Sequence, residues 1–113
     1  MIWYCRYTWY PGTTNEKVRE RVVMQHDAGT NQPSMIKGWY NLAGGGAGFL
    51  LIDTEDPRQL NQVLEPYMDL MAWDVHGVYQ LEYNQAIQEF KEMQLPQQQE
   101  RQMSQSAGRS TGV

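Results

Sequence analysis

The sequence has few of the residues from which covalent and metal-based sites are built. It contains one cysteine, Cys5, and two histidines, His26 and His76, among its 113 residues. A single thiol excludes an intramolecular disulfide. The cysteine and the histidines stand alone along the chain, without CxxC or HxxxH spacing, so they do not predict a metal site. We therefore predict neither a metal nor another cofactor.

Long apolar runs and an excess of positive charge are also missing. No stretch approaches the roughly twenty apolar residues that a membrane helix requires. The N-terminal MIWYCRYTWY lacks the basic segment and the long apolar core of a signal peptide. The formal net charge of −4 argues against nucleic acid, whose partners carry basic patches. We therefore expect a soluble, cytoplasmic protein that binds neither nucleic acid nor a membrane.

Aromatic residues, in contrast, are abundant: the chain has four Trp, seven Tyr and two Phe. Segments rich in aromatic and β-branched residues are typical of strands. They predict four strands, at residues 2–9, 36–43, 47–54 and 72–81. The second and third strands are joined by the glycine turn 44–46, which predicts an antiparallel hairpin.

Three helices are predicted from their start signals. Thr13 and Glu16 have capping-box spacing, which predicts a helix from about residue 14 to the glycine at 29. Asp56 followed by Pro57 is typical of a second helix start, because Asp caps and Pro fits the first turn. A short third helix is predicted over 83–93, where apolar residues recur at helical spacing.

The order strand, helix, strand, strand, helix, strand is the split βαβ, ferredoxin-like pattern. It predicts an α+β domain over residues 1–93, with helices on one face of a four-stranded antiparallel sheet. Residues 49–52 are continuously apolar, which indicates that the other face is also covered. A second copy of the chain is the economical cover, and gives a dimeric α+β barrel. The Gln- and Ser-rich residues 94–113 are predicted to be a disordered tail.

Three stretches carry a resemblance to a known family: CRYTWYPGTT (5–14), KGWYNLAGGGAGFLLIDT (37–54) and EPYMDLMAWDV (65–75). Over residues 1–92 the chain resembles the bacterial family of domain of unknown function 3303, which sits among the dimeric α+β barrel proteins. The resemblance implies the fold and the homodimer. It implies no activity and no catalytic residue, and a shared fold does not transmit function.

Three titratable residues are candidates for catalysis. His26 follows Val18 and Val22 at four-residue steps on the inward stripe of the first helix, where an imidazole can act as a base or bind a ligand. Asp74 and His76 are two apart on the last strand, so both point to one side. Convergence of His26 and Asp74 would give the His–Asp pair of related barrels. The alternatives are a helix histidine satisfied by backbone or water, and an Asp74–His76 pair that lines the dimer interface.

The candidates for ligand binding are Arg6, His26 and Trp39. Arg6 is unusual within an aromatic strand, and it either pairs with an acid or recognises an anionic ligand. Trp39 either stacks on a flat aromatic ligand or belongs to the barrel core. Cys5 lies among aromatic residues and is interpreted as a small buried hydrophobe.

Two functions stay open. The first is a small-molecule site between sheet and helices, lined by His26, Trp39 and Asp74 with Arg6 or His76 at its edge. Its chemistry would be proton transfer or cofactor-independent oxidation of an apolar or aromatic compound. The second is an interaction module, in which the dimer is a rigid adaptor and the tail binds a partner protein. The sequence does not decide whether the protein is an enzyme.

Overall fold

The sheet is the central feature of the computed structural model, which describes residues 1–95. Its strands are β1 (Ile2–Trp9), β2 (Ile36–Asn41), β3 (Ala47–Asp53) and β4 (Met71–Val78). They lie in the order β2-β3-β1-β4, and every neighbouring pair is antiparallel. The prediction of an α+β fold with a four-stranded antiparallel sheet is confirmed. The predicted tail lies almost entirely outside the described residues.

Helix α1 (Asn15–Asp27) joins β1 to β2. Thr14 is its N-cap, because the Thr14 hydroxyl oxygen accepts the backbone N–H of Lys17 at 3.2 Å. The capping-box prediction was therefore wrong by one residue. Thr13 instead donates its hydroxyl to the carbonyl oxygen of Leu70 at 2.8 Å, and so ties the start of α1 to the start of β4.

Helix α2 (Pro57–Leu64) joins β3 to β4, and a 3₁₀ turn at Glu65–Tyr67 follows it directly. The prediction of Asp56 as its N-cap is confirmed, since Asp56 Oδ1 accepts the backbone N–H of Arg58 at 2.9 Å. A third helix, α3, covers residues 83–95 within the separate unit that starts at Gln80. Across residues 1–95, every helix is too short or too polar to cross a membrane.

Three strands end earlier than predicted: β3 by one residue, and β2 and β4 by two and three residues. β2 stops at Asn41, because the chain then turns through Gly45 and Gly46, whose φ angles of +80° and +78° favour glycine. β4 stops at Val78, which is paired with Ile2 at the very start of β1. Within residues 1–95 no strand pairs with the residues after Val78, so hydrogen bonding of the ladder ends there.

Alternation along the strands gives the sheet two different faces. The face under the helices holds a core of Cys5, Ile52, Leu60, Val63 and Leu64. α2 supplies three of these buried residues, whereas α1 has no buried residue. α1 contributes only half-buried valines to a second cluster, formed by Tyr7, Tyr67, Leu70 and Met71. The opposite face, which we call the open face, carries no helix of the unit Met1–Tyr79.

Candidate functional site

A cavity of about 440 Å³ lies between α1 and the sheet. Its volume falls in the range of roughly 300–1,000 Å³ that is usual for small-molecule sites. Five aromatic side chains line it: Tyr7, Trp9, Trp39, Tyr67 and Trp73. The remaining lining is mostly aliphatic, and includes Val18, Val22, Ile36, Leu50, Val63 and Met71.

Polar contacts fix the position of α1, and the cavity lies between the apolar side of this helix and the sheet. The guanidinium of Arg21 binds both carboxylate oxygens of Asp69, at 2.7 and 3.0 Å, and the carbonyl oxygen of Pro66 at 2.5 Å. The same guanidinium lowers the pKa of the Asp69 carboxyl. The residues of α1 that face the sheet, Val18 and Val22, are too short to fill the gap above the aromatic side chains.

One wall of the cavity contains a polar corner that spans three strands. Tyr7 on β1 and Asn41 on β2 are both in register with Gly48 on the strand between them. The Tyr7 ring lies across Gly48, and its hydroxyl donates to Asn41 Oδ1. Trp39 Nε1 in turn donates to the Tyr7 hydroxyl oxygen at 3.2 Å. A Cβ at Gly48 would collide with the Tyr7 hydroxyl, so this corner depends on glycine.

A second polar pair lies where α1 ends. The Tyr67 hydroxyl donates to Asn31 Oδ1, and Asn31 Nδ2 donates to the carbonyl oxygen of Val22 at 3.1 Å. Burial raises the pKa of both Tyr67 and Tyr7, which keeps the two hydroxyls protonated as hydrogen-bond donors. Both the oxygen and the nitrogen of the Asn31 carboxamide therefore already have a partner within the protein.

Two indole N–H groups at the cavity have no such partner. The Nε1 atoms of Trp9 and Trp73 are buried and make no hydrogen bond with any residue of the described chain. Trp3, on the same sheet face, differs, because its Nε1 donates to the carbonyl oxygen of Thr54 at 3.0 Å. Buried polar groups without partners are uncommon in folded proteins and call for an explanation.

The structure places two of the predicted site residues at this cavity. Trp39 and His26 both line it. Trp39 is 56% exposed, and His26 is also exposed, so the two residues lie at its rim. Within residues 1–95 the imidazole of His26 makes no hydrogen bond or ion pair, so it is available to a ligand.

The other predicted residues lie on the open face. Asp74 follows Trp73 and precedes Val75, both of which pack under the helices, so alternation directs Asp74 to the opposite side. His26 and Asp74 are therefore not brought together, and the cavity is not lined by Asp74, Arg6 or His76. This placement does not match the hypothesis that Asp74 lines the pocket with Arg6 or His76 at its edge, whereas the alternative of an Asp74–His76 pair at a dimer interface stays a prediction.

Asp74 and His76 nevertheless contact each other. His76 Nε2 lies 2.9 Å from Asp74 Oδ1, and the two side chains are 60% and 70% exposed. Arg6 is the register partner of Asp74 on β1, but it forms no ion pair with any residue of 1–95. The pair is thus a solvent-facing dyad rather than part of an enclosed site.

The open face also carries a row of aromatic rings. The ring of Phe49 lies between Tyr4 and Tyr40, with ring centroids 5.1 and 4.9 Å away. Tyr40 is 55% exposed. A large apolar surface of this kind on a sheet is a feature of interaction sites.

Neither a metal centre nor a reactive thiol appears in the described chain. Residues 1–95 contain no group of three His, Cys, Asp or Glu side chains placed to bind a metal ion. Cys5 has no exposed surface, and burial raises the pKa of its thiol to about 11. Its side chain is a core residue and does not line the cavity.

Sequence reasoning missed Tyr7, Asn41, Asn31 and Tyr67 as site residues. Tyr7 shares its parity on β1 with Trp9, which is a signal that it faces the helices. The pairing of Tyr7 with Asn41 required the register of all three strands, which no local pattern contains.

Comparison with known families identifies the chain. The family model for domain of unknown function DUF3303 matches residues 1–94, and the chain belongs to this family. Among curated proteins, none matches the sequence.

Proposed function

We propose that the protein binds a small, largely apolar or aromatic molecule in the cavity between α1 and the sheet. The observation that carries the proposal is the lining, in which five aromatic side chains line a cleft of about 440 Å³ next to a few polar groups. Small-molecule sites are mostly apolar, with few polar groups that fix orientation. A packed core, in contrast, leaves few voids larger than a water molecule.

His26 is the group that could give this site acid–base chemistry. It is the one imidazole that lines the cavity, and its ring nitrogens are free of partners within residues 1–95. Neutral imidazole near physiological pH can remove a proton from a bound compound. The Asp74–His76 dyad would have to act on a different molecule, on the open face.

A saturable probe titration tests the proposal. N-phenyl-1-naphthylamine is uncharged, apolar and fluorescent in apolar surroundings, so its emission should rise as it enters the cavity. Val22→Phe places a ring in the cavity and should weaken probe binding by at least about tenfold, which corresponds to about 1.4 kcal/mol. Lys17→Phe adds the same ring to the exposed side of α1 and should bind the probe as the parent protein does.

Two outcomes would contradict the proposal. One is the absence of saturable probe binding to the folded parent protein. The other is equal probe affinity in Val22→Phe and Lys17→Phe. Native mass spectrometry of protein purified gently from its host adds an independent check, since a retained ligand appears as a reproducible extra mass.

We also infer that the chain has the ferredoxin-like arrangement and pairs with a second copy through its open face. The strand order β2-β3-β1-β4, with one helix in each crossover, supports the first part. The second part is supported by the exposed row of Tyr4, Phe49 and Tyr40. Arg6 and Asp74 are register partners on this face, so a second copy packed there would meet charges of both signs.

This surface favours a second candidate function, a non-catalytic interaction module. Sedimentation velocity of the parent protein and of Tyr40→Lys tests the pairing, since a charge among the aromatic rings should dissociate a dimer. A parent protein that stays monomeric at about 100 µM, far above the Kd of a stable homodimer, would refute it. A dimer that survives Tyr40→Lys would place the interface elsewhere.

A further inference from the structure

We propose that the ligand of the cavity is an uncharged aromatic compound that carries a hydrogen-bond acceptor, and that the Asn41 amide anchors this acceptor. The inference rests on the proposed binding function and names the chemical class that the site would select. A carbonyl, an ether oxygen or an aromatic ring nitrogen is an acceptor of the required kind.

The lining of the cavity favours an uncharged ligand. Among residues 1–95, no Lys, Arg, Asp or Glu side chain lines it, and His26 lies at its exposed rim. Arg19 lies outside the cavity, in an adjoining pocket that shares Trp39 and Asn41 with it. Transfer of an ion from water into apolar surroundings is very unfavourable unless an opposite charge meets it. Arg6, which the sequence suggested for an anion, lies on the other face of the sheet.

The polar groups of the cavity that lack a partner indicate whether the ligand carries a hydrogen-bond donor or an acceptor. The Tyr7 and Tyr67 hydroxyls already donate, to Asn41 Oδ1 and to Asn31 Oδ1. The Nδ2 of Asn41 donates to no residue of the described chain; Asn41 is exposed and lines the cavity at its rim, so an acceptor bound there would replace water. The hydrogen-bonding capacity left over at this corner is therefore an N–H donor.

The two unpartnered indoles are a second, independent observation that also indicates an unused hydrogen-bond donor. Trp9 Nε1 and Trp73 Nε1 are buried donors without acceptors among residues 1–95, and both rings line the cavity. Because both Nε1 atoms are buried, an acceptor on a bound molecule would reach one of them only if the ring turned towards the cavity. Donors thus predominate over acceptors around an uncharged, aromatic space.

Three naphthalenes of similar shape test the proposed chemical class of the ligand. The probes are 2-acetylnaphthalene, which has a carbonyl acceptor, 2-isopropylnaphthalene, which has none, and 2-naphthoate, which is an anion at pH 8. Each is titrated against N-phenyl-1-naphthylamine on the full-length chain. We expect the ketone to bind at least about tenfold more tightly than the carboxylate, because no Lys or Arg of residues 1–95 lines the cavity.

The Asn41→Leu variant tests the anchor. Loss of one hydrogen bond should weaken the binding of 2-acetylnaphthalene by about tenfold. The affinity for 2-isopropylnaphthalene should stay unchanged or increase. Asn61→Leu makes the same substitution on the exposed surface of α2, away from the cavity, and serves as the matched control. If Asn41→Leu unfolds because the Tyr7 hydroxyl loses its acceptor, the double variant Tyr7→Phe/Asn41→Leu removes both partners together.

The outcomes separate the two proposals. If none of the probes binds the parent protein, the proposed function fails. If the hydrocarbon binds but 2-naphthoate binds as tightly as the ketone, the cavity is a binding site and the uncharged class is wrong. If Asn41→Leu weakens the ketone and the hydrocarbon equally, the amide does not anchor an acceptor and the inference is overturned.

Discussion

Replacement of Trp73 by Phe should leave the protein as stable as before or more stable, although it shortens a large core side chain. The substitution removes part of a half-buried ring, which costs about 1 kcal/mol when roughly 0.8 kcal/mol is taken for each buried carbon. It also removes the buried N–H of Trp73, which has no hydrogen-bond partner among residues 1–95. Relief of an unsatisfied buried donor is worth about 1–3 kcal/mol. The two terms predict a change between zero and about 2 kcal/mol of stabilisation.

Trp3→Phe is the matched comparison, and it should be clearly destabilising. Trp3 lies on the same face of the sheet, but its Nε1 donates to the carbonyl oxygen of buried Thr54 at 3.0 Å. The variant loses a similar part of the ring, about 1 kcal/mol. It also leaves the Thr54 carbonyl without this donor, which costs a further 1–3 kcal/mol or so. We expect a loss of about 2–4 kcal/mol.

Urea denaturation followed by far-UV circular dichroism measures both variants against the parent protein. A gap of 2 kcal/mol or more between Trp3→Phe and Trp73→Phe is expected, with Trp73→Phe the more stable. For a domain of this size each kcal/mol shifts the melting temperature by about 4–8 °C, so thermal scans would resolve the gap. If both variants lose the same free energy of unfolding, the Trp73 N–H is hydrogen-bonded in solution. This result would remove one of the observations that support an acceptor-bearing ligand.

Three further perturbations test other parts of the structure. Gly48→Ala should lower the free energy of unfolding by at least about 2 kcal/mol, because its Cβ collides with the Tyr7 hydroxyl; an unchanged urea midpoint would contradict this packing. Cys5 of the folded protein should react with Ellman's reagent at pH 8 at least about a hundredfold more slowly than Cys5 of the protein unfolded in urea, because a pKa of about 11 leaves little thiolate. A fast reaction of the folded protein would show that the thiol is accessible. Asp69→Asn should be less stable than the parent protein at pH 6. Because Arg21 lowers the pKa of Asp69, the ion pair stabilises above the unfolded carboxyl pKa and is lost as the pH falls through the folded pKa. The difference in melting temperature should therefore shrink below about pH 4, and a constant difference would contradict the pairing.

Local patterns were sufficient to predict the elements of the fold. A short segment rich in aromatic residues marked β1, the Asp-Pro pair marked the start of α2, and the glycines marked the hairpin turn. Each of these signals acts within a few residues, through side-chain alternation, a capping oxygen or an allowed positive φ. The ends of β2 and β4 were missed because they depend on where a partner strand stops.

The site was predicted less well, because it depends on register and on side-chain reach. His26 and Trp39, which helical spacing and strand composition suggested as lining residues, lie at the rim of the cavity, and their role in binding stays a prediction. Tyr7 meets Asn41 only because a glycine on β3 lies between them in register. That coincidence of three strands cannot be obtained from spacing along one segment. The gap under α1 arises because polar contacts fix the position of the helix, whereas its valines do not fill the space below.

Side-chain alternation along β1 and β4 would have been sufficient to predict that Arg6 and Asp74 do not face the cavity. Arg6 lies between Cys5 and Tyr7, which have the parity of the apolar face, and Asp74 lies between Trp73 and Val75. A period of two therefore places both charged residues on the face away from the helices. The consequence is functional: a ligand in the cavity and a second copy on the open face would occupy opposite sides of one sheet. Binding and pairing can then be disrupted separately, by Val22→Phe and by Tyr40→Lys, so the two candidate functions do not compete for the same surface.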